Sequence, residues 1–137
     1  MHLVKDDATI RDILAQVRRM AIVGLSDKPE RPSHIVASHM IEAGYDIVPV
    51  NPHLSRVLGK RAVPDLYSVS AGVSLAVVFR RAEHIPDIVE ACIEKNIHNL
   101  WLQEGVIHLQ AALYAAQHNI RVVMDRCVYK EYQRLLA

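Results

Sequence analysis

A loop of residue types that bind phosphate follows an apolar run near the start of the sequence. Residues 20–25 are apolar, and the polar loop after them leads into a helix-like segment that opens near Ser33. Gly24 would let the backbone approach a ligand closely, and free main-chain N–H groups at a helix start attract anions. We therefore predict a diphosphate-binding loop formed by Gly24, Leu25, Ser26, Asp27, Lys28, Arg31 and Ser33.

A purely structural turn accounts for the same residues in a different way. Gly24 would then be an ordinary turn glycine, Ser33 would be the N-cap of the helix, and the charged side chains would be solvated. The loop also has one glycine where the common dinucleotide fingerprint G-x-G-x-x-G has three. Its position directly after a strand favours ligand binding over this structural alternative.

Apolar residues recur with helical and strand spacing in alternating segments along the chain. Helices are predicted over residues 7–19, 33–43, 86–95, 107–118 and 129–136, with a helical turn at 67–72. Strands are predicted over residues 20–25, 45–50, 74–79, 99–102 and 121–124, with a further short one near 61–63. The predicted apolar side of the fourth helix consists of Leu109, Ala112, Leu113 and Ala116.

This alternation is typical of βαβ units around a parallel sheet. We predict an α/β fold, a Rossmann-like three-layer domain whose mostly parallel sheet has five or six strands. A length of 137 residues suits a single domain over residues 1–137. In such a sheet, ligands bind beyond the carboxyl ends of the strands, so residues just after strands are the functional candidates.

The second predicted strand ends in a segment that disfavours NAD. Its last residues are Val50, Asn51 and Pro52, and none of them is the carboxylate that would hold the ribose diol of NAD. Basic residues follow that could meet a phosphate on the ribose, namely His53, Arg56, Lys60 and Arg61. A plain strand terminator followed by solvated charges remains the alternative.

Four further candidates follow the third and fourth predicted strands. Phe79 could lie against a ribose or adenine, and Arg80 could meet a phosphate. Gln103 can hydrogen-bond an amide or a hydroxyl, and Gly105 permits a close turn next to a helix start. A core phenylalanine beside a surface arginine explains the first pair equally well.

Neither cysteine belongs to a disulfide framework or a C-x-x-C motif. Cys127 follows the fifth strand at the edge where ligands bind, so it is either a reactive thiol or a small buried residue. Cys92 lies on the apolar face of a predicted helix, which favours a core position. The eight histidines show no metal-ligand spacing, and no catalytic motif is present, so we assign neither a metal nor catalytic residues.

Composition and charge exclude broad classes of partner. The formal net charge is +1, with 51% hydrophobic and 23% charged residues, so neither nucleic acid nor a membrane surface is an expected partner. The first residues lack a signal-peptide pattern, and we expect a cytoplasmic protein with reduced thiols. The first helix and the segment at 129–136 would either cover the sheet or form the surface of a possible homodimer.

Five segments together resemble the small, stand-alone CoA-binding proteins of bacteria and archaea. They are Ala-Ile-Val-Gly-Leu-Ser-Asp-Lys-Pro at 21–29, Ile-Val-Pro-Val-Asn-Pro at 47–52, Val-Val-Phe-Arg at 77–80, Leu-Trp-Leu-Gln-Glu-Gly-Val at 100–106 and Val-Met-Asp-Arg-Cys at 123–127. The fold of that family is similar to the N-terminal CoA-binding domain of the succinyl-CoA synthetase α subunit. The resemblance covers nearly the whole chain.

The resemblance implies coenzyme A, or an acyl-CoA, lying over the carboxyl edge of the sheet. Residues 24–28 with Arg31 and Ser33 would contact the diphosphate. Residues 50–52 would border the adenosine, with Phe79 and Arg80 on its other side. The 3′-phosphate of CoA agrees with the lack of a carboxylate after the second strand.

Three functions stay open on the sequence. The first is a CoA-binding module with no catalysis of its own. The second is a CoA-linked enzyme subunit or a thiol-redox protein that uses Cys127; a complete synthetase-type ligase is not expected, because it needs a phosphorylated histidine and further domains. The third is an NAD(P)-binding domain, against which the single glycine and the end of the second strand both count.

Overall fold

A computed structural model of the chain describes residues 3–137. Five strands form one parallel sheet in the order β2-β1-β5-β6-β7. The strands are β1 (Arg19–Val23), β2 (Asp46–Val50), β5 (Val73–Val78), β6 (Asn99–Leu102) and β7 (Arg121–Met124). A separate antiparallel hairpin pairs β3 (Arg56–Val57) with β4 (Lys60–Arg61). The predicted short strand near 61–63 thus belongs in part to this hairpin, and Val63 bridges to Val50 at the end of β2.

Three α-helices connect strands of the sheet, one precedes β1 and one follows β7. They are α1 (Asp7–Gln16), α2 (Pro32–Glu42), α3 (Ile85–Glu94), α4 (Leu109–Gln117) and α5 (Val128–Leu135). Two 3₁₀ turns, Leu66–Ser68 and Ala82–His84, flank β5. The predicted Rossmann-like α/β fold with a parallel five-stranded sheet is therefore confirmed. None of the helices within residues 3–137 is long and apolar enough to cross a membrane.

The first helix is shorter than its predicted range of 7–19. The side chain of Asp6 caps its N-terminus by accepting a hydrogen bond from the Thr9 N–H at 2.9 Å. The backbone turns extended at Val17, with a ψ of 133°. Arg19 already belongs to β1, where it pairs with Asp46 of β2. Apolar spacing alone missed this boundary because Val17 is buried although it lies outside the helix.

The sheet has a core on each face. Alternate residues of β1 point to opposite sides: Ala21 and Val23 join the cluster beneath α3 and α4, while Met20 and Ile22 join the cluster beneath α1, α2 and α5. Burial on both faces explains why the strands read as continuous apolar runs instead of alternating ones. Helices α1 and α5 cover the sheet together, and the Arg134 guanidinium of α5 lies 2.7 Å from the Asp7 carboxylate of α1.

Helix α4 packs through alanines instead of the predicted leucines. Its buried residues are Ala111, Ala112, Ala115 and Ala116. The side chains of Leu109 and Leu113 are 55% and 40% exposed, so their predicted place on the buried side is wrong. Small side chains let a helix backbone approach its neighbours closely, and the alanine pairs one turn apart form a narrow stripe that suits such packing. Because leucine is more hydrophobic than alanine, hydrophobicity alone predicts the wrong buried face for α4.

The strand order creates a crevice between β1 and β5. From β1 the chain crosses to β2 on one side, and it later returns to β5 on the other side of β1. The connections thus leave in opposite directions at this point, and their separation opens a crevice at the carboxyl ends of the two strands.

Leucines on α4 and β6 give a stability prediction. Leu100→Ala removes a fully buried side chain of β6 and should lower the free energy of unfolding by about 2–5 kcal/mol. Leu113→Ala is the matched control and should change it by less than about 0.5 kcal/mol. Urea denaturation followed by the fluorescence of the single, fully buried Trp101 measures both. A loss of more than about 2 kcal/mol for Leu113→Ala would contradict the alanine-packed orientation of α4.

Candidate functional site

A cavity of about 780 Å³ opens at the carboxyl ends of β1, β5, β6 and β7. It collects residues from the loops that follow these strands and from the start of α2. Its walls are formed by Gly24, Ser26, Lys28, Arg31, Pro32, Ser33, Val36, Phe79, Arg80, Arg81, Gln103, Glu104, Gly105, Val106 and Cys127. Nine of the predicted site residues are among these, and they come from segments far apart in the sequence.

Gly24 follows β1 and lies in the wall of the cavity, against the end of β2 and the residue after β5. Its φ of +86° lies in the region that favours glycine, and this ends β1 at Val23, two residues before the predicted end. Its N–H donates to the Val50 carbonyl at 2.9 Å. A Cβ added here would lie 2.7 Å from the carbonyl oxygen of Phe79. Both the conformation and the close approach therefore require a glycine.

Two serines fix the loop that follows Gly24. The Ser33 hydroxyl accepts a hydrogen bond from the Ser26 N–H at 3.0 Å, and the Ser26 hydroxyl accepts one from the Lys28 N–H at 3.1 Å. Ser33 is only 5% exposed. These oxygens hold the loop, and the hydroxyl protons are the groups that the two serines can still offer to a ligand.

The start of α2 differs from the structural alternative in which Ser33 is the N-cap. Ser33 is not the N-cap; Arg31 occupies that position, Pro32 opens the helix, and no side chain caps it. Arg31, Pro32 and Ser33 all line the cavity. An uncapped helix start with its positive dipole end at a cavity wall favours an anion there.

Positive charge dominates the ionisable groups of the cavity wall. Lys28, Arg31, Arg80 and Arg81 all contribute cationic side chains. The acidic wall residue is Glu104, and its carboxylate is bound by Lys130 at 3.1 Å. The wall thus suits a ligand with several negative charges.

Arg80 stands between this cavity and a smaller one. Its Nη2 lies within hydrogen-bond distance of Nε2 of His84, at 3.1 Å. The smaller cavity measures about 200 Å³ and lies between the end of β2 and α3. Its walls are formed by Val23, Val50, Pro52, Pro64, Asp65, Leu66, Tyr67, Arg80, His84, Asp87, Ile88 and Ala91.

Three predicted site residues line neither cavity. Leu25 is fully buried in the core, and Asp27 is exposed. Asn51 ties two loops together, because its Nδ2 donates to the Leu25 carbonyl at 3.0 Å and its Oδ1 accepts from the His53 N–H at 2.8 Å. Asn51 thus braces the first loop from behind, and its side chain is committed to the protein itself.

The loops after β6 and β7 close the far wall. Gln103 is 5% exposed, and its Oε1 accepts a hydrogen bond from the Val128 N–H at the start of α5 at 2.9 Å. The Gly105 N–H donates to the Asp125 carboxylate at 2.7 Å. Gly105 and Asp125 both have positive φ, +82° and +61°. The two loops therefore support each other at the edge of the cavity.

The sequence profile of a family described as "CoA binding domain" matches residues 18–133 of the chain. The chain belongs to this family. The family predicted from five sequence segments is thereby confirmed, and the matched range includes every candidate site residue.

Relatives of this CoA-binding domain include both short and long proteins. The uncharacterized protein YneT of Bacillus subtilis is 38% identical over 121 residues, which cover 88% of this chain and 90% of YneT. The solved structure of a hypothetical protein from Pyrococcus horikoshii is 31% identical, with a TM-score of 0.94 over all of this chain and 98% of that one. An ADP-forming acetate–CoA ligase II of Archaeoglobus fulgidus is 25% identical over 95 residues, which cover 66% of this chain and only 14% of the ligase.

The two cysteines of this CoA-binding domain have different environments. Cys127 precedes α5 and lines the larger cavity, with 7% of its surface exposed. Cys92 on α3 is fully buried, and burial raises the pKa of its thiol to about 12. Within residues 3–137, no three His, Cys, Asp or Glu side chains come together in a way that could hold a metal ion.

Sequence reasoning missed several wall residues of both cavities. Pro32 and Val36 enter through α2, since a helix that starts at the crevice presents residues four apart to it. In the smaller cavity, Tyr67 and His84 come from the two 3₁₀ turns. The sequence predicted a helical turn at 67–72, but it did not indicate that Tyr67 lines a cavity.

Two glycines of the site give a second stability prediction. Gly105→Ala keeps a positive φ with open space at the new Cβ and should cost about 1–2 kcal/mol of unfolding free energy. Gly24→Ala meets the Phe79 carbonyl as well and should cost about 1–3 kcal/mol more. Urea denaturation of the two variants side by side measures this difference. Equal losses would show that the contact between β1 and β5 does not require glycine.

Proposed function

We propose that residues 1–137 form a single domain that binds coenzyme A or an acyl-CoA across the two cavities, without catalysis of its own. The observation that carries this proposal is the cation-rich loop beside the uncapped start of α2, located where the strand order reverses. The chain's membership of the CoA-binding family supports CoA as the ligand.

The diphosphate of CoA would bind along residues 24–33. Lys28 and Arg31 offer charge-assisted hydrogen bonds, which are stronger than those between neutral groups. Ser26 and Ser33 offer hydroxyl protons from a loop that their oxygens already hold in place. Because this loop is fixed before the ligand arrives, little conformational entropy is lost on binding.

The adenosine would occupy the smaller cavity between Pro52 and α3. Val50 and Ile88 supply apolar walls for the base, and the carboxylates of Asp65 and Asp87 suit an amino-group donor such as that of adenine. Arg80 at the junction suits a phosphate, either the diphosphate or the 3′-phosphate. Val50 and Pro52 would border the adenosine as predicted, with Phe79 and Arg80 on its other side. Asn51 would act indirectly, by holding the first loop.

The pantetheine arm would run along the far wall of the larger cavity. Gln103 can donate its Nε2 protons to an amide carbonyl of the arm, since its Oε1 is already engaged by Val128. Gly105 and Val106 provide a wall with little polar surface for the rest of the arm. The proposed ligand thereby contacts the loops after β1, β2, β5 and β6.

Calorimetric titration tests the proposal against the NAD(P) alternative. We expect saturable heat with CoA, weaker binding of dephospho-CoA because it lacks the 3′-phosphate, and no saturable heat with NAD or NADP. Saturable binding of a nicotinamide cofactor in place of CoA would favour the alternative. No heat with CoA, dephospho-CoA or acetyl-CoA would overturn the proposed function.

Arg80→Gln tests the junction between the cavities. Loss of a charge-assisted hydrogen bond should raise the Kd for CoA by about 10–100-fold. Lys95→Gln is the matched control, because it removes one positive charge from the C-terminal end of α3, before β6 and so at the opposite edge of the sheet. We expect its Kd to stay within about twofold of the original value in physiological salt. Equal weakening by both variants would indicate a general charge effect and not a contact at Arg80.

A further inference from the structure

The proposed binding mode leaves the thiol in the wall of the larger cavity without a role. Cys127 lies in that wall, after β7 and directly before Val128, whose N–H is bonded to Gln103. Coenzyme A ends in a thiol, and a protein thiol at the same end of the cavity can form a mixed disulfide with it by exchange with a disulfide of CoA. A reaction between these two sulfurs rests on the proposed function, because CoA must occupy the cavity for them to meet.

The distance between the two ends of the site suits the length of CoA. Three strand-to-strand steps separate β1 from β7 in the order β1-β5-β6-β7. At about 4.8 Å a step, the loop after β7 lies roughly 14 Å from the diphosphate loop after β1. A pantetheine arm has roughly a dozen bonds of about 1.3–1.5 Å between its phosphate and its sulfur, so it can span this distance when extended.

A second feature at the same end of the cavity points to a ligand. Gln103 is only 5% exposed, and its Oε1 is held by the Val128 N–H. Every fully buried side-chain nitrogen or oxygen within the described residues has a hydrogen-bond partner. The Nε2 amide of Gln103 has no hydrogen-bond partner among the described residues, so it is not fully buried, and Gln103 lines the same cavity as Cys127. It is a donor that a ligand in this cavity can satisfy.

We propose that Cys127 is a modification site, at which the protein forms a mixed disulfide with the sulfur of bound CoA. The co-reactant is oxidised CoA, the symmetrical CoA disulfide. The Cys127 sulfur attacks one sulfur of that disulfide and forms a new S–S bond to the CoA unit held in the cavity. The S–S bond of CoA disulfide breaks, and the other CoA unit leaves as a thiolate that takes up the proton lost by Cys127. Cys127 is oxidised, and one CoA is released in reduced form.

Cys92 provides an internal comparison within the same chain. It is fully buried on α3, and burial raises the pKa of its thiol to about 12. The thiolate is the attacking species in disulfide exchange. Cys92 is therefore expected to stay unmodified in a reaction run at a pH of about 8.

The test incubates the reduced full-length protein with CoA disulfide or with glutathione disulfide at equal concentrations. Intact-mass spectrometry follows the adducts, and non-reducing peptide mapping locates them. We expect one CoA adduct on Cys127, formed at least about tenfold faster than the glutathione adduct because the cavity binds the CoA unit first. Dithiothreitol should reverse it, Cys127→Ser should abolish it, and Cys92→Ala should retain it.

Calorimetry of the wild-type protein with reduced CoA separates the two levels of the proposal. If CoA binds but Cys127 gains no adduct, the mixed disulfide is wrong and the proposed function stands. Modification of Cys127 at the same rate by both disulfides would show an accessible thiol without a templating site, and it would also overturn the inference. If CoA does not bind at all, both proposals fail. Peptide mapping of the wild-type protein decides these outcomes even if Cys127→Ser does not fold.

Discussion

The close approach of Gly24 to the Phe79 carbonyl is the constraint on which the crevice depends. The φ of +86° at Gly24 turns the chain out of β1, and its N–H stays bonded to Val50 of β2. The same residue thus touches the ends of both neighbouring strands, at the point where the strand order reverses. A side chain here would push β5 away from β1 or redirect the loop that carries Ser26 and Lys28. Gly24 lines the larger cavity, and Val23 and Val50 beside it line the smaller one.

The polar side chains around the crevice stabilise the loops that form it. Ser33, Asn51, Gln103 and Asp125 each accept a hydrogen bond from a main-chain N–H. Such bonds fix the loops before any ligand binds, which lowers the entropy lost on binding. They also explain why a position at the carboxyl edge of the sheet does not by itself identify a residue that contacts the ligand. Asn51 lies at this edge, but its side-chain amide is hydrogen-bonded to the main chain of Leu25 and His53.

The fold was predictable from the sequence because apolar runs of strand length alternate with segments of helical spacing along most of the chain. Asn99–Leu102 and Arg121–Met124 match their predicted bounds. Errors arose at element boundaries: Val17 is buried although it lies outside α1, and the positive φ of Gly24 ends β1 earlier than the apolar run does. The family was evident from five segments, but the wall roles of Val36, Tyr67 and His84 depend on how helices and 3₁₀ turns sit against the sheet. The leucines of α4 show that hydrophobicity does not identify the face on which close packing requires a small residue.

Arg80 lines both cavities, and its guanidinium is hydrogen-bonded to His84. A small molecule in either cavity therefore meets the same side chain and can move it relative to the other. We therefore expect occupancy of the two cavities to be coupled, so that the free energies of binding for two separate fragments do not sum to that of a joined molecule that fills both.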